Sequence, residues 1–557
     1  MSKKRNVWMK LLAGFLVCVG CFFIIAAGNR DSSSGAVSNS AANVNAPGVY
    51  PICKTPITIN VAIRQHPNVE DYETNLQTKL FEERGNFKLQ FEYYPAGTPG
   101  MERIQVVIAS GGVLPEALIS FAFNDVQLLL HGEEGIFLNL DDYYENWAYE
   151  FPRQFQKVSL PQVWQWMHSA NGHVYYVPYI QETIGENYAL RGWINQTWLD
   201  NLGLSTPETT EEFRSVLEAF RDRDPKRNGR RDIIPAAGSL EERGRIADFL
   251  INAFIYNDGR DRLIVENGRV DVIYNKPDYR EALRYINGLM NDGLIYDRIF
   301  TMDLNALRAI NESESTASIG FFTAGFAGAF APRNTMRLDY VPISPLMGPK
   351  GVQYTPFYPL VPIVGLVITK DARNPEAIFR WGDYMCGEEA SIWSRYGVPE
   401  IDWRRPLPGE KSLYDDMGFP PVLAQILPWG SIQNSHWVAG SGGPGILPLG
   451  LTDGMIPSDN PLDNPIWVAK SVPLHIGKIP PVENRVEKTI FTYQEMMEIS
   501  DIQNAINTYV NENLALFVTG QRSIERDWDA YVREFERLNL RRYLQIMQSG
   551  YERAIGR

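Results

Sequence analysis

The sequence predicts an α/β protein with two or more lobes, and three observations support this. The chain has 557 residues, which is more than one ordinary domain contains. Hydrophobic residues make up 44% of it, enough for sizeable cores. In the first part of the chain, segments with the alternating pattern of strands are separated by segments with helical spacing. Strands that alternate with helices typically form a parallel sheet.

The amino terminus has the pattern of a targeting segment. A positively charged start, residues 3–10, precedes an apolar run without charge, residues 11–27. Ala26-Ala27-Gly28 suits a signal peptidase that cleaves before Asn29, so residues 1–28 are predicted as a signal peptide. The apolar run is close to the length that spans a bilayer, and an uncleaved membrane anchor is the alternative.

A lipid anchor at Cys21 is a third interpretation of the same segment. Val19-Gly20 before Cys21 is similar to the end of a lipobox. The small polar residues that follow predict a flexible tether over 29–53. Each interpretation places the remainder of the chain outside the cytoplasm, in the periplasm or at the cell surface. There Cys53 and Cys386 could form a disulfide or remain as two thiols.

The elements of the first segment follow from local patterns. Ile57, Ile59, Val61 and Ile63 alternate with other residues and predict a first strand. The segment is predicted to contain strands over 56–64, 87–94 and 115–121, with helices over 72–83 and 100–109.

The stretch from Trp193 to Pro235 organises the middle of the chain. Residues 193–198 form a short mixed run that is typical of a strand or its end. Thr209, with Glu212 three residues later, predicts a capped helix. That helix has one apolar face and ends in a charged loop, residues 224–232, with an Asn-Gly turn.

The second half contains further strands and helices. A helix over 279–291, a strand over 318–322, a strand over 365–369 and a helix over 374–384 are predicted in turn. Residues 397–480 are irregular and rich in Pro, Gly and Trp. From residue 500 the chain is predicted to be helical.

Several motifs in this order resemble the extracellular solute-binding proteins of ABC sugar importers. The nearest resemblance is to their lipoprotein and alginate-oligosaccharide-binding branch, and it extends from about Ile57 to about Arg553. The resemblance is weakest over residues 397–480. The motifs are ASGGVLPEALI at 109–119, NGHVYYVP at 171–178, WLDNLGL at 198–204 with Pro207, Thr209 and Phe213, DPKRNGRRDIIP at 224–235, and YVNENLALFVTGQRSIERDWDAY at 509–531.

The resemblance implies a two-lobed periplasmic-binding-protein-like fold of type II, with a ligand cleft between lobes that a hinge joins. Residues 54–180 and 325–395 would form the first lobe. Residues 181–324 and 396–557 would form the second, with a helix-rich carboxy terminus.

The function implied is the extracytoplasmic substrate-binding component of an ABC transporter. It would bind a carbohydrate, in particular an oligosaccharide, by lobe closure and deliver it to permease subunits as a monomer without a catalytic step. A net charge of −13 argues against nucleic acid as a partner. The alternatives are a glycan-active enzyme, a receptor subunit that presents ligand to a membrane sensor, and a peptide-binding protein. Ligand identity, length and charge stay open.

Sugar-binding sites combine flat apolar faces with a few directed polar groups. The resemblance places several segments that carry aromatic and polar residues at the cleft. For each of these residues, burial in a core is the alternative. The polar residues Arg191, Asp402 and Arg404 are further candidates for the same wall. The predicted ligand-binding residues are Tyr179, Glu182, Trp193, Asn195, Phe322, Tyr358, Trp393 and Trp437.

The loop over 224–232 is similar to a calcium loop of the relatives. Asp224, Asn228, Arg230 and Asp232 occupy candidate ligand positions. Lys226, however, stands where those relatives have an asparagine, and a lysine side chain cannot ligate a hard cation. A calcium ion and a salt bridge in place of the ion are the two alternatives. No catalytic motif such as HExxH or GxSxG is present in the sequence, and no cofactor is expected.

Overall fold

The computed structural model describes residues 39–557 except 314, 332–333, 360, 429, 439–442 and 461. The predicted signal peptide, anchor and Cys21 lipidation site lie outside these residues. Within the described part, no helix combines the length and apolar character needed to cross a membrane.

The strands fall mainly into two sheets, one of six strands and one of four. In chain order they are β1 Ile57–Arg64, β2 Phe87–Tyr94, β3 Ala117–Ile119, β4 Val177–Gln181, β5 Arg191–Asn195, β6 Ile234–Ala237, β7 Leu263–Glu266, β8 Arg269–Val272, β9 Ile319–Ala324, β10 Tyr340–Ile343, β11 Ile363–Ile368, β12 Trp403–Arg404, β13 Leu423–Gln425, β14 Gly445–Leu447 and β15 Met455–Ile456.

Helices surround these sheets and form the carboxy terminus. They are α1 Asn39–Asn43, α2 Leu76–Gly85, α3 Thr98–Ala109, α4 Asp125–Glu133, α5 Asp141–Trp147, α6 Glu150–Phe155, α7 Val163–Trp166, α8 Ile184–Asn187, α9 Gln196–Leu202, α10 Thr210–Asp222, α11 Ile246–Ile251, α12 Pro277–Asn291, α13 Leu304–Asn311, α14 Ala327–Phe330, α15 Asn334–Arg337, α16 Pro375–Met385, α17 Glu388–Tyr396, α18 Leu449–Asp453, α19 Asn464–Ser471, α20 Tyr493–Val518, α21 Ile524–Arg537 and α22 Leu540–Ala554.

The first lobe is built on the six-stranded sheet, with strand order β14-β4-β11-β3-β1-β2. β1 pairs in parallel with β2 and β3, as the alternation of strands and helices predicts. β11 is antiparallel to both β3 and β4. The chain leaves this sheet at the end of β4 and re-enters it at the start of β11, so these neighbouring strands run in opposite directions. The sheet is therefore mixed.

The second lobe is built on the four-stranded sheet, with strand order β10-β5-β9-β6. β5 forms the centre of this sheet together with β9, to which it is antiparallel. A second hydrophobic core, separate from that of the first sheet, includes residues of α10, α12 and α20–α22. This arrangement confirms the predicted α/β fold of two lobes.

The segments assigned to each lobe stay a prediction, and strands pair across the assigned boundaries in two places. β10 lies within 325–395, assigned to the first lobe, yet it pairs with β5 of the second sheet. β14 lies within 396–557, assigned to the second lobe, yet it pairs with β4 of the first sheet. In both places the chain completes one sheet before it crosses to the other.

The end of the predicted tether packs against the first lobe. Val44 bridges to Cys53, and Ile52 between them is fully buried. The Arg380 guanidinium donates a hydrogen bond of 2.8 Å to the Ala46 carbonyl. Apolar side chains near the end of the segment therefore order residues 44–53. Both Cys53 and Cys386 are buried free thiols.

Most predicted elements appear within a few residues of their expected bounds. β2 occupies the predicted residues 87–94, and α12 covers the predicted 279–291. Thr209 and Glu212 form the predicted capping box at the start of α10. The mixed run at 193–198 contains the end of β5 and the start of α9.

Candidate functional site

A cavity of about 920 Å³ lies where the chain passes between the two sheets. Three segments make this passage: residues 182–190 from β4 to β5, 344–362 from β10 to β11, and 448–492 from β14 to α20. The cavity is lined from both lobes, which gives it the position expected for a ligand cleft.

The first lobe contributes a wall from β4, β11 and α17. Tyr179, Gln181, Ile363 and Tyr396 line this wall. The Tyr179 hydroxyl donates a 2.6 Å hydrogen bond to Oε1 of Gln181, which orients the Gln181 amide. Burial raises the pKa of Tyr179 to about 12, so its hydroxyl stays protonated at physiological pH.

The second lobe contributes Phe326, just after β9, and residues of α19. α19 is held to this lobe by Trp467, which belongs to the same buried cluster as Trp193 and Phe322. Pro465 and Val468 on this helix line the cavity. An aromatic ring and aliphatic side chains thus lie on this side.

A third wall comes from the part of the segment 397–480 that precedes α19. Its strands β12, β13 and β15 form a small sheet of their own. Lining residues from this part are Leu413, Tyr414, Gln425, Ile426, Pro428, Thr452, Asp453, Met455, Ser458, Asn460 and Asp463.

Two buried carboxylates hold the start of the crossing segment, residues 182–184, against this wall. Glu182 accepts hydrogen bonds from the Ser159 amide at 2.9 Å and the Leu449 amide at 3.2 Å. Asp453, which lines the cavity, accepts from the Thr183 hydroxyl at 3.1 Å and the Ile184 amide at 3.2 Å. Burial, with the charge of Glu182 adding to it, raises the pKa of Asp453 to about 7.

Arg191 joins the crossing segment 182–190 to the residue that follows β9. Its guanidinium donates to the carbonyls of Gly185 and Gly325, and the side chain is 1% exposed. A Cβ on Gly185 would lie 2.7 Å from Val468, so the crossing chain passes close to α19. Burial lowers the pKa of Arg191 to about 10, and it remains charged at neutral pH.

Among the residues predicted to bind ligand, Tyr179 lines the cavity in the described structure. Trp193 and Phe322 are fully buried in the second lobe, where Phe322 stacks on Phe330 at 3.7 Å. Asn195 is also buried and caps α9 through the Trp198 amide. Tyr358 is buried beneath the Arg260 guanidinium.

The two remaining predicted tryptophans belong to the first lobe. Trp437 is fully buried among the rings of Phe81, Trp381 and Phe91, and its indole nitrogen donates to Thr78. Trp393 is half-buried and donates to the Ser435 carbonyl at 2.9 Å. Neither tryptophan is among the residues that line the cavity.

Aromatic residues other than the predicted ones also line the cavity. Tyr396, Tyr414 and Phe326 line the cavity beside Tyr179. The polar candidate Asp402 accepts from the Val398 amide at 2.8 Å and holds a turn. Sequence patterns missed these lining residues because most lie in or beside irregular segments without periodicity.

The calcium-like loop is closed by hydrogen bonds and salt bridges within the protein. The Asp224 carboxylate accepts from the amides of Asn228 and Gly229 at 3.1 and 2.7 Å. Lys226, whose side chain is 2% exposed, places its ammonium 3.6 Å from the Asp232 carboxylate. Arg230 lies 3.9 Å from the same carboxylate.

These donors do not fit a calcium ion. Ca²⁺ takes about 6–8 oxygen ligands, whereas a cationic side chain already faces Asp232 here. Across the described residues, no three His, Cys, Asp or Glu side chains converge as a metal site. The loop thus has the salt bridge that the sequence left as one of two alternatives.

Comparison with known families gives one match. Residues 66–392 match the model of the bacterial extracellular solute-binding proteins. This range is more than half of the chain, and it ends before the third wall begins.

Two characterised bacterial proteins are similar in sequence. The fructooligosaccharide ABC transporter substrate-binding protein FusA of Streptococcus pneumoniae is 24% identical, over 80% of this chain and 81% of that protein. Lipoprotein LipO of Bacillus subtilis is 25% identical, over 54% of this chain and 53% of that protein.

Solved structures show the same fold. FusA in complex with kestose has a TM-score of 0.68 at 23% identity and covers 89% of this chain and 99% of its own. A solute-binding protein from Bifidobacterium longum infantis, associated with an HMO-binding ABC transporter, has a TM-score of 0.71 at 18% identity, covering 90% and 99%.

Proposed function

The chain belongs to the bacterial extracellular solute-binding proteins, and from this premise we propose that it binds an oligosaccharide in the cavity between its lobes and delivers it to an ABC permease. It is a binding protein and not an enzyme, as its family is. The observation that carries the proposal is the cavity of about 920 Å³, lined by both lobes at the crossing segments.

The lining suits a polyhydroxylated ligand. Tyr396, Tyr414 and Phe326 offer flat apolar faces that can pack against the C–H faces of sugar rings. Gln181 and Gln425 offer amide groups that can both donate and accept hydrogen bonds with hydroxyls. The similarity to FusA supports this class, because FusA is a fructooligosaccharide-binding protein.

Closure of the lobes would supply the binding step. Because the walls belong to different lobes, a ligand that contacts both favours the closed arrangement. Closure also removes water, which strengthens the hydrogen bonds to the ligand. The permease would recognise the closed form, and the ligand leaves unchanged.

We also propose that the protein works without calcium and is held at the outer face of the membrane. The Lys226 ammonium takes the role of the ion in the loop over 224–232. Membership of an extracellular family and the similarity to a lipoprotein support tethering through the amino terminus.

Isothermal titration of the purified chain against a panel of neutral oligosaccharides tests the proposed function. We expect saturable binding with one series, and weaker binding when Tyr396 or Tyr414 is changed to alanine. The absence of heat and of any thermal shift with every sugar would contradict the proposal. Turnover of the sugar would favour an enzyme instead, and binding of peptides alone would favour a peptide carrier.

A neighbouring gene for a membrane sensor, without a permease, would favour the receptor alternative. Reconstitution with the permease separates the two. An importer requires ligand to cross the membrane only when this protein is present. Sedimentation measures the oligomeric state, which is predicted to be a monomer.

A further inference from the structure

A second cavity, of about 440 Å³, adjoins the first, and it is here called the side pocket. Arg404, Glu410, Ala424, Ile456 and Asp459 line it, apart from the main cavity. The two cavities also share lining residues along a common border. The shared residues are Gln425, Met455, Ser458, Asp463 and Pro465.

The floor of the side pocket is one row of the small sheet. Arg404 of β12 pairs with Ala424 of β13, and Ala424 pairs with Ile456 of β15. Side chains directly opposite each other in neighbouring strands share a face of a sheet. The central position is an alanine, which leaves room above the floor.

Arg404, the positively charged residue of this floor, forms an ion pair with another side chain of the protein. Arg404 donates two hydrogen bonds to the Glu410 carboxylate, at 2.6 and 2.7 Å. The guanidinium lowers the pKa of Glu410 to about 2, so the pair stays charged at physiological pH. Its two charges compensate each other and leave directed polar groups without a net charge.

The opposite rim is acidic. Asp459 lies exposed in the loop that leads to α19, and Asp463 accepts a hydrogen bond from the Ser458 hydroxyl. Carboxylates accept hydrogen bonds from hydroxyls and repel anions. The rim therefore favours a neutral, hydroxyl-rich group over a carboxylate- or sulfate-bearing one.

We propose that the side pocket is a second subsite for the same ligand, which takes the end units of a neutral oligosaccharide too long for the main cavity. This inference rests on the proposed function, since it assumes that the main cavity binds sugar. The floor lies beyond residue 392, outside the part that matches the family model. Selectivity for length would thus depend on the segment 397–480.

Calorimetry of the full chain with neutral oligosaccharides of graded length tests the inference. The probes are kestose with its longer fructooligosaccharide homologues, and short and long members of other neutral series. Asp459→Trp places an indole at the rim from an exposed position. We expect it to weaken binding of the long members by about tenfold and leave the shortest member unchanged.

Each of two variants at the side pocket, Asp459→Trp and Arg404→Gln, has a matched control outside both cavities. Asp529→Trp makes the same substitution at an exposed position of α21. Arg404→Gln is compared with Arg542→Gln, because Arg542 forms a similar two-bond pair with Glu498, at 2.6 Å each. We expect only the variants at the side pocket to depend on ligand length.

Each outcome decides one of the two proposals. Equal effects of Asp459→Trp on short and long ligands, or no effect on either, would overturn the side pocket while the proposed function stands. Tighter binding of acidic than of neutral oligosaccharides would also overturn it. If the unsubstituted chain binds no sugar at any length, the proposed function fails, and the inference fails with it.

Discussion

Asp453 is a single residue through which the cavity wall responds to pH. Its carboxyl group is buried and its pKa is raised from an ordinary 3.8 to about 7. Between about pH 4 and pH 7 the folded chain therefore binds a proton that the unfolded chain releases. This residue's contribution to stability is greatest at low pH and declines as the pH rises through that window.

Asp453→Asn should remove this dependence. The amide keeps an oxygen that can accept from Thr183 and Ile184, but it carries no charge to bury. We expect the variant to gain on the order of 2 kcal/mol over the parent above pH 7, and little at pH 4. Denaturant unfolding at several pH values measures the difference. Parallel pH profiles of parent and variant would show that Asp453 titrates normally.

Lys226 is a second residue with a measurable role. Its buried ammonium faces the Asp232 carboxylate where related loops are expected to hold an ion. We expect a chelator to leave the melting temperature of the parent unchanged. Lys226→Met should cost roughly 1 kcal/mol, because it leaves the half-exposed Asp232 charge with less compensation.

Lys350→Met is the matched control for that change. Lys350 forms a salt bridge of 2.6 Å with Asp278, but its side chain is 68% exposed. Exposed pairs of this kind contribute about 0–1 kcal/mol, so we expect a smaller loss. A fall in the melting temperature of the parent when calcium is removed would contradict the proposal that the Lys226 ammonium replaces a calcium ion in this loop.

Among the elements, the crossing segment 182–190 and the end of β9 are joined by Arg191. This side chain gives both Gly185 and Gly325 a hydrogen-bond partner in a buried place. Arg191→Met would leave two buried carbonyl groups without their donor, and we expect a loss of roughly 2–4 kcal/mol and weaker ligand binding. Arg542→Met, at an exposed pair, is the control. Equal stabilities of the two variants would contradict this role.

Elements with a strong local signal could be predicted from the sequence. The capping box of Thr209 and Glu212 begins α10, and alternation of apolar residues defines β1. The direction of β11 could not be predicted, because it depends on where the chain returns from the second lobe. β12 and β15 have only two residues each, too few for any period to show.

The residues of the candidate site were harder to predict from the sequence than the fold was. Aromatic residues in a core and in a cleft have the same chemistry, and packing alone separates Trp193 from Tyr396. Trp193 lies among the rings of the second lobe, whereas Tyr396 reaches the cavity at the end of α17. Of the predicted ligand-binding residues, Tyr179 lines the cavity, and the residues that bind the ligand stay a prediction.

At the scale of the whole molecule, ligand should bring the two lobes together. The cavity walls are attached to separate sheets, so a ligand that contacts both is expected to make the protein more compact. Small-angle X-ray scattering should show a smaller radius of gyration with a saturating sugar. Arg191→Met, which frees the crossing segment 182–190 from the end of β9, should reduce this change. An unchanged scattering curve in the presence of bound sugar would contradict closure.

The position of the third wall has a consequence for genome surveys. Chains grouped by the part equivalent to residues 66–392 are grouped by scaffold, while most of the segment that lines this cavity lies beyond it. A survey that infers the ligand from that shared part alone therefore leaves out most of the residues that line the cavity. Comparing the stretch equivalent to 397–480 would bring most of them into the comparison.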